Sequence, residues 1–456
     1  MKGKNLGRII LVRGYKRQQC KDGVRPDCLR TELKALTEGE HPEGRPLLPK
    51  VVRHSHDIIL PVNPFSGAEL AYFPISVPLT SSVRYLFYEF HHDVSKELYP
   101  RAFCRQPEES RTIWFERVIE DPCVFHCTMA VTSARISHSQ GYGGKSVAST
   151  QHFVMALHLL RRDLDTNSKL QNSSIVVAIS LAMYSNINGS TGESRIHLQG
   201  LKRMLDLCPG GLTSVYSGTP EVGNKIRRAD IELALLEGTP TLFSSQSISL
   251  PDPLHVVPLH DRRPYVTLPY PLDEISTVVR LAMTDVLALC DYAGRAQLSA
   301  FQYLDMVISI IQRLIDYAPL GSARPSRLLD DACQLGLLAF MSTVLNHTRG
   351  RRSACSPLLS DLLRKCLDRF DDEMACGRGH KYSSFYLWLT FIFVLSAPEF
   401  EQYYHPDSSF ARRIRVLANT LALETLDDII AHLSVYPWVA AFHDDQSKKL
   451  WDVICR

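Results

Sequence analysis

The thiols and imidazoles of this sequence are the first places to look for chemistry. Cys20 and Cys28 close the run Cys20-Lys21-Asp22-Gly23-Val24-Arg25-Pro26-Asp27-Cys28. Thiolates bind zinc, but a tetrahedral structural site takes about four protein ligands, and one pair leaves it half empty. Around the pair, Arg13, Lys16, Arg17, Lys21 and Arg25 make a local excess of cations. Such a cluster can contact phosphates with a steep salt dependence, or act as a nuclear import signal. Further on, Cys123 and Cys127 flank His126. Their spacing puts both thiols on one helix face, yet the remaining ligands would have to come from elsewhere, so small buried packing residues are the expectation. Cys355, Cys366, Cys376 and His380 are too widely spaced for a zinc knuckle.

Catalytic patterns are weaker still. Ser139-Gln140-Gly141-Tyr142-Gly143-Gly144-Lys145-Ser146 imitates a phosphate-binding loop, but its first glycine is replaced by Ser139. The residues before it read as helix, whereas the motif follows a buried strand. A turn between helices is expected there. His91-His92-Asp93 offers an acid–base pair without a nucleophile motif to serve. No nucleophile elbow, paired-histidine zinc helix or dinucleotide fingerprint occurs in the chain. The expectation is a binding protein with no catalytic residues and no cofactor, not an enzyme.

What must position any of these groups is a set of helices. The chain has 456 residues, enough for a large core, and a formal net charge of only +3, so polyanion binding would have to be local. Its cysteines are scattered singly, which suits buried thiols in a reducing compartment. The apolar tetrad Ile9-Ile10-Leu11-Val12 is shorter than the roughly 7–15 residues of a secretory signal. The most apolar segment, Phe385 to Ala397, is shorter than the about 20 residues of a membrane span and reads as a core helix, so no membrane partner is expected.

Residues 1–79 are broken by His41-Pro42, Leu60-Pro61, Asn63-Pro64 and Phe73-Pro74, among other pairs, and read as a flexible basic leader. From Ser81 onward apolar residues recur at helical spacing. Ser81 or Ser82 is the expected cap of a helix carrying Val83, Leu86, Phe87, Phe90 and Val94. Helices are then expected near 110–120, 122–138, 147–165 and 172–187, and from about 273 to 434 after a proline-rich loop at 238–272. That loop is the candidate mobile, partner-facing element. Trp114, Trp388 and Trp438 sit among apolar neighbours and are expected in the core. The fold class is all-α, an irregular array of a dozen or more helices over residues 80–456.

The richest wording lies between Gly192 and Pro240. Leu198, Leu201, Leu205 and Cys208 form a helical stripe that Gly210-Gly211 terminates, and His197 on the same helix is expected as a packing residue. After a short loop come Lys225-Ile226-Arg227-Arg228-Ala229-Asp230 and Gly238-Thr239-Pro240. The phrase His197-x-x-Gly200-Leu201-x-x-Met204, closing on Gly210-Gly211-Leu212 and followed by the Arg-Ala-Asp helix and the Gly-x-Pro turn, resembles the central regulatory domain of fungal transcription factors. The Cys20 to Cys28 run resembles the middle of the zinc binuclear cluster that precedes that domain.

The resemblance implies a nuclear regulator of metabolic genes, secondary metabolism among them, working through ligand or partner contacts on a helical scaffold. It puts zinc at Cys20 and Cys28, but the neighbouring cysteine positions of the pattern fall on Ile10, Arg13 and Thr31. The site is therefore degenerate, and zinc is expected only if missing upstream sequence completes the cluster. Direct DNA contact stays open, with Arg13, Lys16, Arg17, Lys21 and Arg25 as its candidates. Other transcription factors, a second copy of the chain, and a small-molecule effector are the remaining partner expectations. The alternatives are a corepressor or scaffold pairing with an intact zinc-cluster factor, and a helical small-molecule-binding protein or enzyme.

Overall fold

The structure is a computed structural model that describes residues 77, 79–91, 98–105, 107–140, 146–166, 172–243, 268–269, 272–295, 298–345, 356–377, 379–397 and 405–454. Cys20, Cys28, Arg13, Lys16, Arg17, Lys21 and Arg25 lie outside the described residues, as do the rest of the leader to residue 76 and most of the 238–272 loop.

Among the described residues the chain is built from helices, with one isolated bridge between Cys104 and Leu298 and no strand. The first half comprises α1 (Ser81–Glu89), α2 (Pro107–Glu120), α3 (Pro122–Ser139), α4 (Val147–Thr166), α5 (Asn172–Ile187), α6 (Thr191–Asp206), α7 (Gly211–Gly218) and α8 (Pro220–Glu237). The second comprises α9 (Thr277–Tyr292), α10 (Ala300–Tyr317), α11 (Leu328–Leu345), α12 (Pro357–Ala375), α13 (Ser383–Ser396), α14 (Ser409–Thr420), α15 (Leu426–Leu433) and α16 (Ala440–Ile454).

The helices start where side chains can satisfy the open N–H groups of a first turn. Asp121 Oδ1 accepts from the backbone of Cys123 and Val124, with Pro122 opening α3. Ser299 and Gln302 close a reciprocal capping box on α10. At α1 the cap is Thr80, which accepts from Val83 N at 3.3 Å, not Ser81 or Ser82 as expected. The serines are the first helical residues.

Among the described residues two main apolar cores and two small satellite clusters result. In the first core α3 packs on α5, α5 on α6, and α8 beneath α5 and α6, while α4 closes the satellites against α3 and α5. Leu198, Leu201 and Leu205 are buried there, so the stripe of α6 faces inward as expected, while Cys208 lies past the helix end and is only half-buried. In the second core, α10 and α11 are central, with α13 against α11, α14, α15 and α16. Trp388 is fully buried and donates to the Pro437 carbonyl at 2.9 Å. Helix α11 has the length and apolarity of a membrane span but is 89% buried within this core.

Helix α8 belongs to both cores. Val222, Ile226, Ala229 and Leu233 face the first, and Ile231 and Ala234 the second. A further stitch is the segment 98–105: Arg105 N donates to Leu298 O, Leu298 N to Phe103 O, and the Phe103 ring stacks on Tyr303 at 5.0 Å.

The Gly-Thr-Pro turn after α8 is fixed rather than loose. Gly238 ends the helix at φ +70° and its carbonyl accepts from Gly321 N at 2.8 Å. Thr241 N and Oγ1 both donate to Asp316 on α10, at 3.1 and 2.9 Å. The backbone N–H groups of Leu242 and Phe243 bond the Asp230 carboxylate at 2.9 and 2.8 Å. The described start of the proline-rich loop, residues 238–243, is thus hydrogen-bonded to the body.

Candidate ligand cavity and the motif helix

The residues at Lys225–Asp230 divide their work by helical angle. Arg227 points into the seam between the two cores. Its Nη1 meets Asp305 Oδ1 at 2.7 Å, Nη2 donates to Ser309 Oγ at 2.8 Å, and Nε reaches Gln312 Oε1 at 3.3 Å. Asp230 sits on the next turn, and burial raises its pKa to about 7 although two backbone N–H bonds oppose the rise. These two residues are clamps.

The opposite stripe, Glu221, Lys225, Arg228 and Glu232, recurs at intervals that keep one face of a helix. Its first three members line a cavity that is partly open to solvent. The other walls are Phe90 and His91 at the end of α1, Leu98 and Tyr99, Trp114 of α2, Thr128, Val131, Thr132 and Arg135 of α3, Ser180 and Met183 of α5, and Leu304 of α10. The cavity is mostly apolar with a few polar groups converging on it, the usual make-up of a small-molecule site.

Several of those polar groups are already engaged. Glu221 pairs with Arg117 at 2.5 Å, and Arg228 Nε donates to Glu232 at 2.8 Å. The Thr128 and Ser180 hydroxyls donate to carbonyls of their own helices, Val124 O and Val176 O. Lys225 is different. Its ammonium lies 4.5 Å from the centre of the Trp114 ring, and no carboxylate among the described side chains pairs with it. Burial, helped by the nearby Arg228 charge, pushes its pKa down to about 8. Trp114, expected in the core, is instead half-buried and forms part of this wall. Tyr99 beside it has its hydroxyl pKa raised to about 12 by burial.

The remaining candidates fall elsewhere. Cys123 and Cys127 are buried between α3, α4 and α5, where Cys123 Sγ donates to Ala156 O at 3.3 Å and is held protonated. His126 turns to His152, with the two Nδ1 atoms 2.8 Å apart, and burial lowers its pKa to about 4. His197 is buried and neutral, its pKa likewise lowered to about 4 by loss of hydration. Of His91-His92-Asp93 only His91 is described, at the cavity rim. The residues before the loop-like run 139–146 are helical, as expected, while 141–145 lie outside the described residues. Cys366 is buried in the second core, Cys376 and His380 are exposed, and Cys355 is not among the described residues.

Residues 85–226 match the fungal specific transcription factor domain. This is the family that the wording at 192–240 resembles, and the match, which covers that stretch as far as Ile226, supports a role in regulating transcription. No curated protein and no solved structure matches the chain. The cavity falls almost wholly within the fungal transcription factor domain match, only Arg228 and Leu304 lying beyond it.

Proposed function

We propose that this chain is a nuclear regulator of fungal metabolic genes whose helical body works by binding rather than by catalysis. The observation that carries this is the position of the cavity: it lies almost wholly inside the matched stretch and against the helix that both cores share. A group lodged there would touch α2, α3, α5 and α8 together, so its presence can be felt in both halves. The charged residues of the motif helix are occupied as clamps or wall groups, which suits a relay and leaves no nucleophile–base pair on α8. Deleting the gene should change a defined set of transcripts, and a tagged chain should accumulate in the nucleus. An unchanged transcriptome, or turnover of a substrate by the purified chain, would refute the regulator.

A second version is a corepressor that pairs with an intact zinc-cluster factor. Its support is the sequence at Ile10, Arg13 and Thr31, where the cluster pattern has cysteines. Two thiolates fall short of even one tetrahedral zinc site. Stoichiometric zinc together with sequence-specific DNA binding by the purified chain would exclude it.

A further inference from the structure

We propose that the cavity bounded by α2, α3, α5 and α8 binds an apolar small molecule carrying one carboxylate, with the carboxylate on Lys225 and the apolar body against Trp114, Met183 and Leu304. This deepens the regulator proposed above by giving its effector a chemical class.

The walls select for it. Apolar atoms supply most of the lining surface, so a hydrated polar ligand would lose more than it gained. Lys225 brings a charge into that surface with a ring face as its neighbour and no carboxylate among the described side chains. A cation in such surroundings gains strongly from a charge-assisted hydrogen bond, and an arriving carboxylate supplies it. A neutral ligand would leave the ammonium as it is, and a cationic one would be repelled. Wall carboxylate Glu221 does not substitute for the ligand, because Arg117 holds it at 2.5 Å.

The groups around Lys225 also set the pH response. On its own helix they are Glu221 and Arg228, from α2 Arg117, from α3 Cys127 and Arg135, and from the segments at α1 and beyond it His91 and Tyr99. From α5 and α10 the cavity receives Ser180, Met183 and Leu304, none of them charged. Lys225, with a pKa near 8, is still mainly protonated at neutral pH and loses its proton just above. Carboxylate binding keeps the proton on, so affinity must fall as pH rises past 8.

The test uses the purified full chain, with cinnamate as probe and cinnamyl alcohol as its uncharged counterpart, by titration calorimetry. Cinnamate should bind at one site at least about tenfold more tightly than the alcohol. Lys225→Met should erase that preference and Lys225→Arg retain it. Above pH 8 the cinnamate affinity should fall by up to about tenfold per pH unit while that of the alcohol stays level. Equal affinities, absence of saturable binding, or an undiminished preference in Lys225→Met would overturn the proposal. Should Lys225→Met fail to fold, Val131→Trp fills the cavity from α3 and must abolish cinnamate binding; retained binding would place the site elsewhere. Binding by purified protein is read separately from transcription, so a chain that binds cinnamate yet leaves transcripts unchanged refutes the regulator and keeps the cavity's ligand class.

Discussion

Arg227 of α8 and Asp305 of α10 form an ion pair 2.7 Å long with both side chains almost completely removed from water. Taking two charges out of water is costly, and the pair is tolerable because Ser309 and Gln312 satisfy further guanidinium N–H groups. Removing one partner leaves the other charge buried without its counter-charge. Arg227→Met or Asp305→Asn should therefore destabilise the protein by about 3–5 kcal/mol in urea unfolding. The double variant Arg227→Met with Asp305→Leu should recover part of that loss, and a purely additive result would show that the pair is not coupled.

Asp230 and His197 should pull the pH dependence of stability in opposite directions. The folded pKa of Asp230 is raised from 3.8 to about 7, so the folded state holds that proton longer than the unfolded chain. Its contribution to stability falls as pH rises from about 4 to about 7. His197 has its folded pKa lowered from 6.5 to about 4, so its contribution is lost as pH falls through that interval. Between pH 4 and 6.5 the two slopes offset each other. Asp230→Asn should shift the slope of stability against pH upward there, by up to about 1.4 kcal/mol per unit, and His197→Gln should shift it downward by a similar amount. Unfolding curves at several pH values check both signs.

Gly238→Ala should be poorly tolerated. The glycine has φ +70°, and a Cβ would lie 2.7 Å from both Gly321 N and Leu358 Cδ2. Left-handed backbone alone costs an ordinary residue about 1–3 kcal/mol, and the contact with backbone leaves little room to relax. Thermal unfolding of the variant should fall well below that of Gly192→Ala, whose Cβ would meet nothing within 4 Å. Similar melting temperatures for the two would contradict the tight approach of the α8 turn to residue 321.

The helices were legible in the sequence because apolar residues recur at helical spacing, and the inward face of α6 could be named from Leu198, Leu201 and Leu205. Helix α7 falls where the sequence reads as a short loop. Gly211 and Gly218 at its ends carry low helix propensity, and packing of Leu212 and Tyr216 holds it. Helix α16 is hidden for another reason: its buried face includes His443 and Ser447, which interrupt the apolar stripe. His443 is accommodated there by Val439 N and the Thr343 hydroxyl. The roles of Arg227 and Asp230 were beyond local pattern, since Asp305 lies far along the chain and the Asp230 partners are backbone groups past a turn. Lys225 gave one available signal, its place in the Glu221, Lys225, Arg228, Glu232 stripe. Trp114 and the cavity itself needed the assembled helices.

The sharing of α8 between two cores bears on how this molecule can be cut. The matched stretch stops at Ile226, one residue short of Arg227 and midway along that helix. A fragment ending there would keep Lys225 but sever the helix from its anchor on α10, and would uncover the part of the first core that Ala229 and Leu233 close. Similarity and folding therefore have different borders in this chain. Any piece intended to stand by itself has to carry α10 with it, and exchanging the matched stretch between relatives would move half of a joint.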